Sequence, residues 1–359
     1  MLSDSEPIFD ELQAASKRPS RRFDLNYEQD DPAVIMLPHL LVVKRLCQIL
    51  QLRASAELAL KQTDKAYQDI RLALYLADCL QREPFIVSQL VRFSSLLFAF
   101  QSFAEGIDQW SASQLKDFQD AFAHFDFCVD ASRTLRAERV WNTTIIDYVA
   151  NAPAKLDMLN NFLGAQPTGF PLGAALMSVA PSGWFDFEKL NCCRIIDQDV
   201  LPSIDAEMHR ISPRLNNAAK QRLETTLGHT LPRLYFSHYF FAKLLVPGNS
   251  GLAQKAALLQ AGADCGEIAC ALEFYRRDHG GFPETLEVLR PVFIQKIPPD
   301  IINGEPLKYH RDKEGNYSLY SVGWNEIDDG GVVLHSKGPG EIVVPEGDWV
   351  WRLPPRAGE

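Results

Sequence analysis

The chain has 359 residues, which is enough for a sizeable hydrophobic core and for two domains. Its composition, 46% hydrophobic and 23% charged, is that of an ordinary globular protein. The formal net charge of −10, without an extended basic patch, argues against non-specific binding to nucleic acid or to anionic membranes.

Targeting and membrane signals are weak along the whole sequence. No apolar run reaches the roughly 18 residues of a transmembrane helix, and the best candidate, Phe93–Phe103, is too short. Residues 1–6 lack the basic start and the apolar middle of a signal peptide. We therefore expect no membrane span here, and either a cytoplasmic protein or one whose anchor lies upstream of this chain.

The seven cysteines have neither a CxxC pair nor the spacing of a zinc site. Their expected role is therefore that of small buried hydrophobic residues. Cysteine usage by itself favours a reducing compartment.

The front of the chain predicts a polar arm over residues 1–32, followed by successive helices. Apolar residues at helical spacing mark these helices, which cover Leu40–Leu60, Lys65–Gln81, Phe85–Glu105, Gln114–Val129, Arg133–Ala150, Phe185–His209 and Ala218–Leu227. Ser111 with Gln114 three residues later predicts a capping box. The small residues Ala54, Ala66 and Ala73 resemble those of one tetratricopeptide-type hairpin, and a generic helical hairpin is the alternative.

Two stretches of the front half could line a pocket. The loop-rich zone at residues 164–183 is a lid or a connection, and the aromatic run at residues 234–241 is a ligand pocket or packed core. The sequence contains no Walker loop, GxSxG, HExxH or GxGxxG motif. Asp278 and His279 are explained by the end of a helix, so we expect no enzyme.

The C-terminal part has the most informative order of elements. Ile268, Leu272 and Tyr275 form the apolar stripe of a long helix, which basic residues and a glycine pair end at Gly280. A short helix and a proline-rich loop follow. Two β-prone segments joined by a glycine-containing loop predict a hairpin, and Asp348–Trp351 predicts a last strand that folds back on it.

Several motifs here resemble the soluble domain of a type II secretion major pseudopilin. They are Leu272-Glu-Phe-Tyr275, Asp278-His-Gly-Gly-Phe-Pro283, Lys308-Tyr309, Tyr320-Ser-Val-Gly323 and Asp328-Asp-Gly-Gly331. The resemblance implies a long helix packed on a small antiparallel sheet. It covers residues 251–359, and the cleavage motif and apolar spine of a pilin are missing.

The resemblance also implies a calcium site in the glycine- and acid-rich turn. Calcium takes six to eight oxygen ligands, which such a turn can supply from carboxylates and carbonyls. The candidate ligands are Ser321, Asn325, Asp328 and Asp329. A solvated hairpin end is the alternative, and no other cofactor is expected.

Together these patterns predict a mainly α fold. An irregular multi-helix domain (residues 33–250) is followed by a small α+β pseudopilin-like module (residues 251–359) with a long helix and a short antiparallel sheet. We expect a non-enzymatic bacterial envelope or assembly protein, a helical scaffold that binds an unidentified protein partner and no nucleic acid. If the resemblance holds, the protein lies on the periplasmic side of the envelope, anchored by a segment outside this chain. Otherwise the protein is cytoplasmic. The alternative is an enzyme of unrecognised class with a pocket near residues 164–183 and 234–241.

Overall fold

The structure is a computed structural model that describes residues 6–18, 21–27, 35, 37–152, 177–246, 250–334 and 346–353. Its α-helices are α1 (Glu6–Ser16), α2 (Pro38–Ala59), α3 (Thr63–Asp78), α4 (Ile86–Glu105), α5 (Ala112–Ala123), α6 (Phe127–Asn151), α7 (Ser182–Arg194), α8 (Pro213–Leu227), α9 (Leu231–Phe236), α10 (Phe240–Leu245) and α11 (Ser250–His279). The strands are β1 (Ile204–Asp205), β2 (Arg210–Ile211), β3 (Lys308–Arg311), β4 (Tyr317–Ser321), β5 (Val333–Leu334), β6 (Glu346–Gly347) and β7 (Trp349–Leu353). The predominantly helical fold with a small antiparallel sheet in its C-terminal part confirms the predicted fold class.

The first four long helices form two stacked pairs. Helices α2 and α3 pack against each other as a hairpin, and α4 lies beside both of them. Four side-chain hydrogen bonds join residues fifty positions apart, namely Gln51–Gln101, Ser55–Glu105, Asp64–Gln114 and Tyr67–Asp117. The α2–α3 and α4–α5 pairs are therefore stacked with a repeat of about fifty residues, longer than the roughly 34 residues of a tetratricopeptide unit.

Helix α5 begins with the capping box that the sequence predicts. The Ser111 hydroxyl accepts the Gln114 N–H at 3.2 Å, and the Gln114 side chain accepts the Ser111 N–H at 2.9 Å. This reciprocal pair satisfies two N–H groups that would otherwise lack a partner at the helix start.

Helix α4 is the most apolar of the described helices. It is long and apolar enough, by length and composition, to cross a membrane, which differs from the expectation that no segment reaches that length. Within the described residues, however, 61% of that window is buried inside the protein. Arg92 in its middle is fully buried and ion-paired. Helix α4 therefore has the properties of a core helix.

Two predicted helix boundaries are wrong. The helix predicted over Gln114–Val129 is divided between α5 and the start of α6, because the Asp126 carboxylate accepts the N–H of Val129 at 2.9 Å and caps α6. The helix predicted over Phe185–His209 ends at Ser203, and the β1–β2 hairpin follows. Asp205 holds that hairpin turn by accepting two backbone N–H groups, at 3.1 and 2.9 Å.

The C-terminal sheet has the strand order β3–β4–β7 and is antiparallel throughout. The predicted hairpin of β3 and β4 is confirmed, with Tyr309 opposite Leu319, and so is the strand at Trp349–Leu353. The long helix ends as predicted, at Gly280 with φ +79°. The predicted short helix is a 3-10 helix over Leu286–Leu289.

Helix α11 packs on both halves of the described chain. One buried cluster contains Leu252 and Leu259 together with the front helices. The other contains Ile268 and Leu272 together with the sheet and the 3-10 helix. At Gly266 an added Cβ would lie 2.9 Å from the Phe122 ring, so the absence of a side chain lets α5 approach closely. The predicted boundary at residue 250 therefore falls at the start of a helix that the two cores share.

Candidate functional site

A cavity of about 810 Å³ opens between α1, α3 and α5, within the size range of ligand pockets. Its lining is rich in cationic and potentially cationic side chains; they are Arg18, Arg21, Arg71, Arg82 and His124. We call it the arginine-lined cavity. Such a concentration of positive groups stands out in a chain with a formal net charge of −10.

Three different parts of the fold supply these side chains. Arg18 and Arg21 lie just after α1, and Arg71 lies on α3. Arg82 follows the end of α3, and His124 follows the end of α5. The Arg21 guanidinium lies 5.3 Å from the centre of the Tyr75 ring, a cation–π distance that fixes the segment after α1 against α3.

Carboxylates also line the cavity, but each already has a cationic partner. The pairs are Asp78–Arg92, Asp117–Arg71 and Asp120–Lys116, with N···O distances of 3.0, 3.1 and 2.8 Å. Asp117 also accepts a hydrogen bond from the Tyr67 hydroxyl at 2.7 Å. Burial, together with that hydrogen bond, raises the pKa of Tyr67 to about 12, so the hydroxyl stays a donor at neutral pH.

Arg18 and Arg82 differ from the other lining arginines. Both are exposed, and neither forms an ion pair with any residue that the structure describes. An exposed guanidinium keeps five N–H donors in a planar fork that matches a carboxylate or a phosphate group. The arginine-lined cavity therefore has cationic capacity left over for an anionic ligand.

The back of this cavity is fixed by a buried charge cluster around Arg92. Its guanidinium is fully buried and donates to Asp130 at 2.6 Å and to Asp78 at 3.0 Å. Asp130, itself 3% exposed, also pairs with Arg133. The cluster joins α3, α4 and α6, and it holds the Asp78 carboxylate at the cavity wall.

The acidic turn that follows β4 places the four candidate calcium ligands in two different environments. Ser321 is fully buried, and its hydroxyl donates to the Asp300 carboxylate at 2.8 Å. Asn325, Asp328 and Asp329 lie on the turn itself. The Ser321 hydroxyl is therefore bonded to Asp300, whereas the other three candidates lie on the turn.

The turn residues are also engaged in hydrogen bonds. The Asn325 side chain donates to Asp329 at 2.8 Å, and its oxygen accepts the Ile327 N–H at 3.0 Å. Asp328 accepts hydrogen bonds from the Tyr320 hydroxyl and the Gly330 N–H, both at 3.1 Å. A calcium ion, which takes six to eight oxygen ligands, would compete with these hydrogen bonds for the side-chain oxygens of the turn. Calcium binding at this turn stays a prediction.

Two buried aspartates hold the turn in place. Asp300 accepts the N–H of Val322 at 3.0 Å, and Asp348 accepts the N–H of Gly331 at 2.6 Å and of Asp329 at 3.3 Å. Charge-assisted bonds to backbone N–H groups are among the stronger hydrogen bonds in proteins. The turn is thus ordered by carboxylates from outside it, which the sequence analysis missed.

The aromatic run at residues 234–241 is packed in part, with Phe236 79% exposed. The Trp184 ring stacks on Tyr235 with centroids 4.6 Å apart, and Phe241 is fully buried. The fully buried Glu188 carboxylate accepts the N–H groups of Phe240 and Phe241, at 3.0 and 2.9 Å, and so caps α10. Residues 164–176 of the loop-rich zone lie outside the described residues.

Five of the seven cysteines have the buried environment that the sequence predicts, whereas Cys79 and Cys193 are half-buried. Cys47, Cys128, Cys192, Cys265 and Cys270 are buried free thiols. The His279 ring stacks on Tyr275, with centroids 4.0 Å apart, at the end of the helix.

Comparison with known proteins found no matching family model, no significantly similar curated protein and no significantly similar solved structure. Fold and site together define a predominantly helical protein with a cation-rich cavity and a small C-terminal sheet. Inference about function therefore depends on the residues and contacts of this chain.

Sequence reasoning missed the arginine-lined cavity as a site. Its residues are spread from position 16 to position 125, and only the contact of α1 with α3 and the side-chain hydrogen bonds between α3 and α5 bring them together. The one available signal was the basic segment around Arg18 and Arg21, which the sequence places in a polar arm.

Proposed function

We propose that this chain is a non-enzymatic helical scaffold that holds a partner protein through acidic side chains placed in the arginine-lined cavity. One observation supports this most directly. Two exposed arginines, Arg18 and Arg82, face a cavity of about 810 Å³ and have no ion-pair partner among the described residues. The function goes no further than binding, and no reaction is assigned.

The chemistry of the lining favours a peptide carboxylate as the ligand group. Arginine binds carboxylates through two parallel N–H···O bonds, which gives geometric specificity as well as energy. The lining contains few large apolar side chains, Leu74 and Phe125 among them. The cavity therefore suits a charged anchor better than an apolar cofactor, whose site would be mostly hydrophobic.

The architecture around the cavity also favours a scaffold. Stacked helical pairs form extended surfaces that commonly bind proteins. Here the α2–α3 packing and the contact of the Phe103 and Phe118 rings between α4 and α5 define the two pairs. Their side-chain bonds at a spacing of fifty residues hold the two pairs in one register. A rigid frame of this kind keeps the arginines in place before the ligand arrives, which lowers the entropy lost on binding.

The second part of the proposal is that residues 251–359 form a pseudopilin-like module in a bacterial envelope or assembly protein. Its support is the order of elements, in which the long α11 packs against the antiparallel β3–β4–β7 sheet. Mass spectrometry of the native N-terminus in fractionated cells tests it. We expect the protein in the envelope fraction, and recovery only from the cytoplasm, beginning at Met1, would contradict this part.

Peptide binding tests the cavity itself. The probe is a fluorescein-labelled peptide of six glutamates, titrated with the full chain at low and at physiological salt. We expect Arg18→Glu combined with Arg82→Glu to weaken binding at least about tenfold, which corresponds to about 1.4 kcal/mol. Higher salt should weaken binding of the peptide to the native chain, because the Arg18 and Arg82 guanidinium groups are exposed to solvent.

A matched control separates site binding from general charge attraction. Arg214→Glu combined with Lys220→Glu makes the same change of net charge at exposed cations of α8, outside the cavity lining. The proposal requires this control to bind the peptide as the native chain does. Equal loss in both double variants, or no binding to the native chain, would contradict it.

A further inference from the structure

A second group of polar side chains lies at the start of α6, where the β1–β2 hairpin packs between α6 and α11. It consists of Asp126, Cys128 and His209, whose donor atoms all lie within 4.8 Å of one another. One carboxylate oxygen, one sulfur and one ring nitrogen thus converge from two separate elements. This set is distinct from the arginine-lined cavity and from the acidic turn.

Local structure explains how the three donors come together. Asp126 is the N-cap of α6 and uses Oδ1 to accept the Val129 N–H at 2.9 Å. Cys128 lies in the first turn of α6 and is fully buried. His209 sits in the hairpin turn with φ +53°, and its Nδ1 lies 3.6 Å from Asp126 Oδ1.

A separate observation concerns a buried carboxyl group close by. Asp264 on α11 is only 6% exposed, and its Oδ2 is buried without a hydrogen-bond partner among the described residues. Leaving a buried carboxylate oxygen unpaired is costly, because its hydration is lost without replacement. Burial raises the pKa of Asp264 well above its ordinary value, and either a proton or a bound cation compensates such a group.

Asp264 is held close to the first turn of α6. Gln260 donates to Asp264 Oδ1 at 2.9 Å, and its own oxygen accepts the N–H of Phe127 at 2.9 Å. Burial, and after it the nearby Asp126 and Asp264 carboxyl groups, raise the pKa of the Cys128 thiol. Negative groups therefore concentrate around one buried thiol, and no Lys or Arg side chain forms an ion pair with Asp126 or Asp264 among the described residues.

We propose that Asp126, Cys128 and His209 bind one zinc ion, which fastens the β1–β2 hairpin to α6. Sulfur and imidazole ligands favour zinc over calcium or magnesium, which take oxygen ligands. Bond lengths of about 2.0–2.3 Å in a tetrahedral site place ligand atoms roughly 3.3–3.8 Å apart. The Asp126–His209 distance of 3.6 Å already fits. The other donor separations, all within 4.8 Å, need to close by at most about 1 Å through side-chain rotation.

The fourth position is open to water or to the free oxygen of Asp264. Binding of zinc requires the Cys128 sulfur as thiolate, so the ion displaces the thiol proton to solvent. The affinity should accordingly fall as the pH is lowered. The role assigned to the ion is structural, and it is independent of the function proposed for the cavity.

Metal titration of the full chain tests the site. The chain is freed of metal with a chelator and titrated with zinc in competition with a chromophoric chelator, and in parallel with Co²⁺. We expect one ion per chain and a sulfur-to-cobalt charge-transfer band in the near ultraviolet. Cys128→Ser should abolish the band and weaken zinc binding at least about a hundredfold, since second-shell changes alone reach 10–100-fold.

Two further variants keep the test decisive. His209→Asn removes the nitrogen ligand but tolerates the left-handed backbone, so it should fold as the native chain does and lose most of its zinc affinity. Cys193→Ser changes a half-exposed cysteine outside the group and should leave zinc binding unchanged. Absence of zinc binding, or zinc binding that survives Cys128→Ser and His209→Asn, overturns the proposal. A charge-transfer band that disappears in Cys193→Ser overturns it as well.

Discussion

Arg92 is the residue whose replacement should reveal most about how the front helices are held together. Replacing it with Met keeps much of its length but removes the guanidinium. Asp130, 3% exposed, would then lose the bond at 2.6 Å, and Asp78 would lose the bonds to α4. Breaking a buried ion pair from one side costs roughly 3–5 kcal/mol, because the remaining charge is left buried.

The expected loss for Arg92→Met is at the lower end of that range, about 3 kcal/mol. Both carboxylates keep a second cationic partner, Arg133 for Asp130 and Arg21 for Asp78. The measurement is the free energy of unfolding from urea titrations followed by circular dichroism. A double-mutant cycle with Asp130→Asn isolates the pair, and we expect a coupling energy of about 2 kcal/mol.

The exposed pair of Lys116 and Asp120 provides the matched control. It has a similar N···O distance, 2.8 Å, but both side chains are more than half exposed. A cycle of Lys116→Met with Asp120→Asn should give a coupling of about 0.5 kcal/mol or less. A coupling for Arg92 and Asp130 no larger than in this control would refute the conclusion that the buried cluster organises α3, α4 and α6.

Three further predictions concern a buried carboxylate, a glycine and the acidic turn. Burial raises the pKa of Glu188 to about 7 from the ordinary 4.5, so the stability contributed by its protonated form is present in acid and is lost as the pH rises through 7. Between pH 5 and 8 the free energy of unfolding of the native chain should therefore fall by up to about 3 kcal/mol relative to that of Glu188→Gln. Melting temperatures of the two chains measured across this range check it, and parallel curves would contradict it. Gly323 has φ +69°, and an added Cβ would lie 2.0 Å from the Gly347 carbonyl oxygen. Gly323→Ala should therefore lower the free energy of urea unfolding by more than about 2 kcal/mol. The control Gly315→Ala, with φ +85° and open space around it, should lower it by only about 1 kcal/mol. Calcium at the acidic turn should raise the melting temperature of the native chain over that in a chelator and not that of Asp328→Asn, while identical native curves would exclude the site.

The parts of the fold that sequence reasoning predicted correctly depend on neighbouring residues. The capping box at Ser111, the end of α11 at Gly280 and the β3–β4 hairpin are each specified within a few positions of sequence. The division between α5 and α6 is equally local, and it was missed because Asp126 was not recognised as an N-cap.

The candidate sites could be predicted only in part, because their contacts join distant residues. The acidic turn is visible in the sequence, but Asp300 and Asp348, which hold it, are visible only in the fold. The arginine-lined cavity requires α1 to lie on α3 and the two helical pairs to stack. The spacing of fifty residues between the pairs is detectable in principle, but it differs from the tetratricopeptide period that the small residues suggest.

The position of α11 has a consequence for how the chain can be divided and still fold. Because it contributes Leu252 and Leu259 to one core and Ile268 and Leu272 to the other, neither half can unfold without exposing an apolar face of this helix. Residues 251–359 produced alone would present that face to water and would tend to self-associate. In the full chain, the amides at the centre of α11 should therefore be among the last to exchange with deuterium, since their exposure requires both cores to open together.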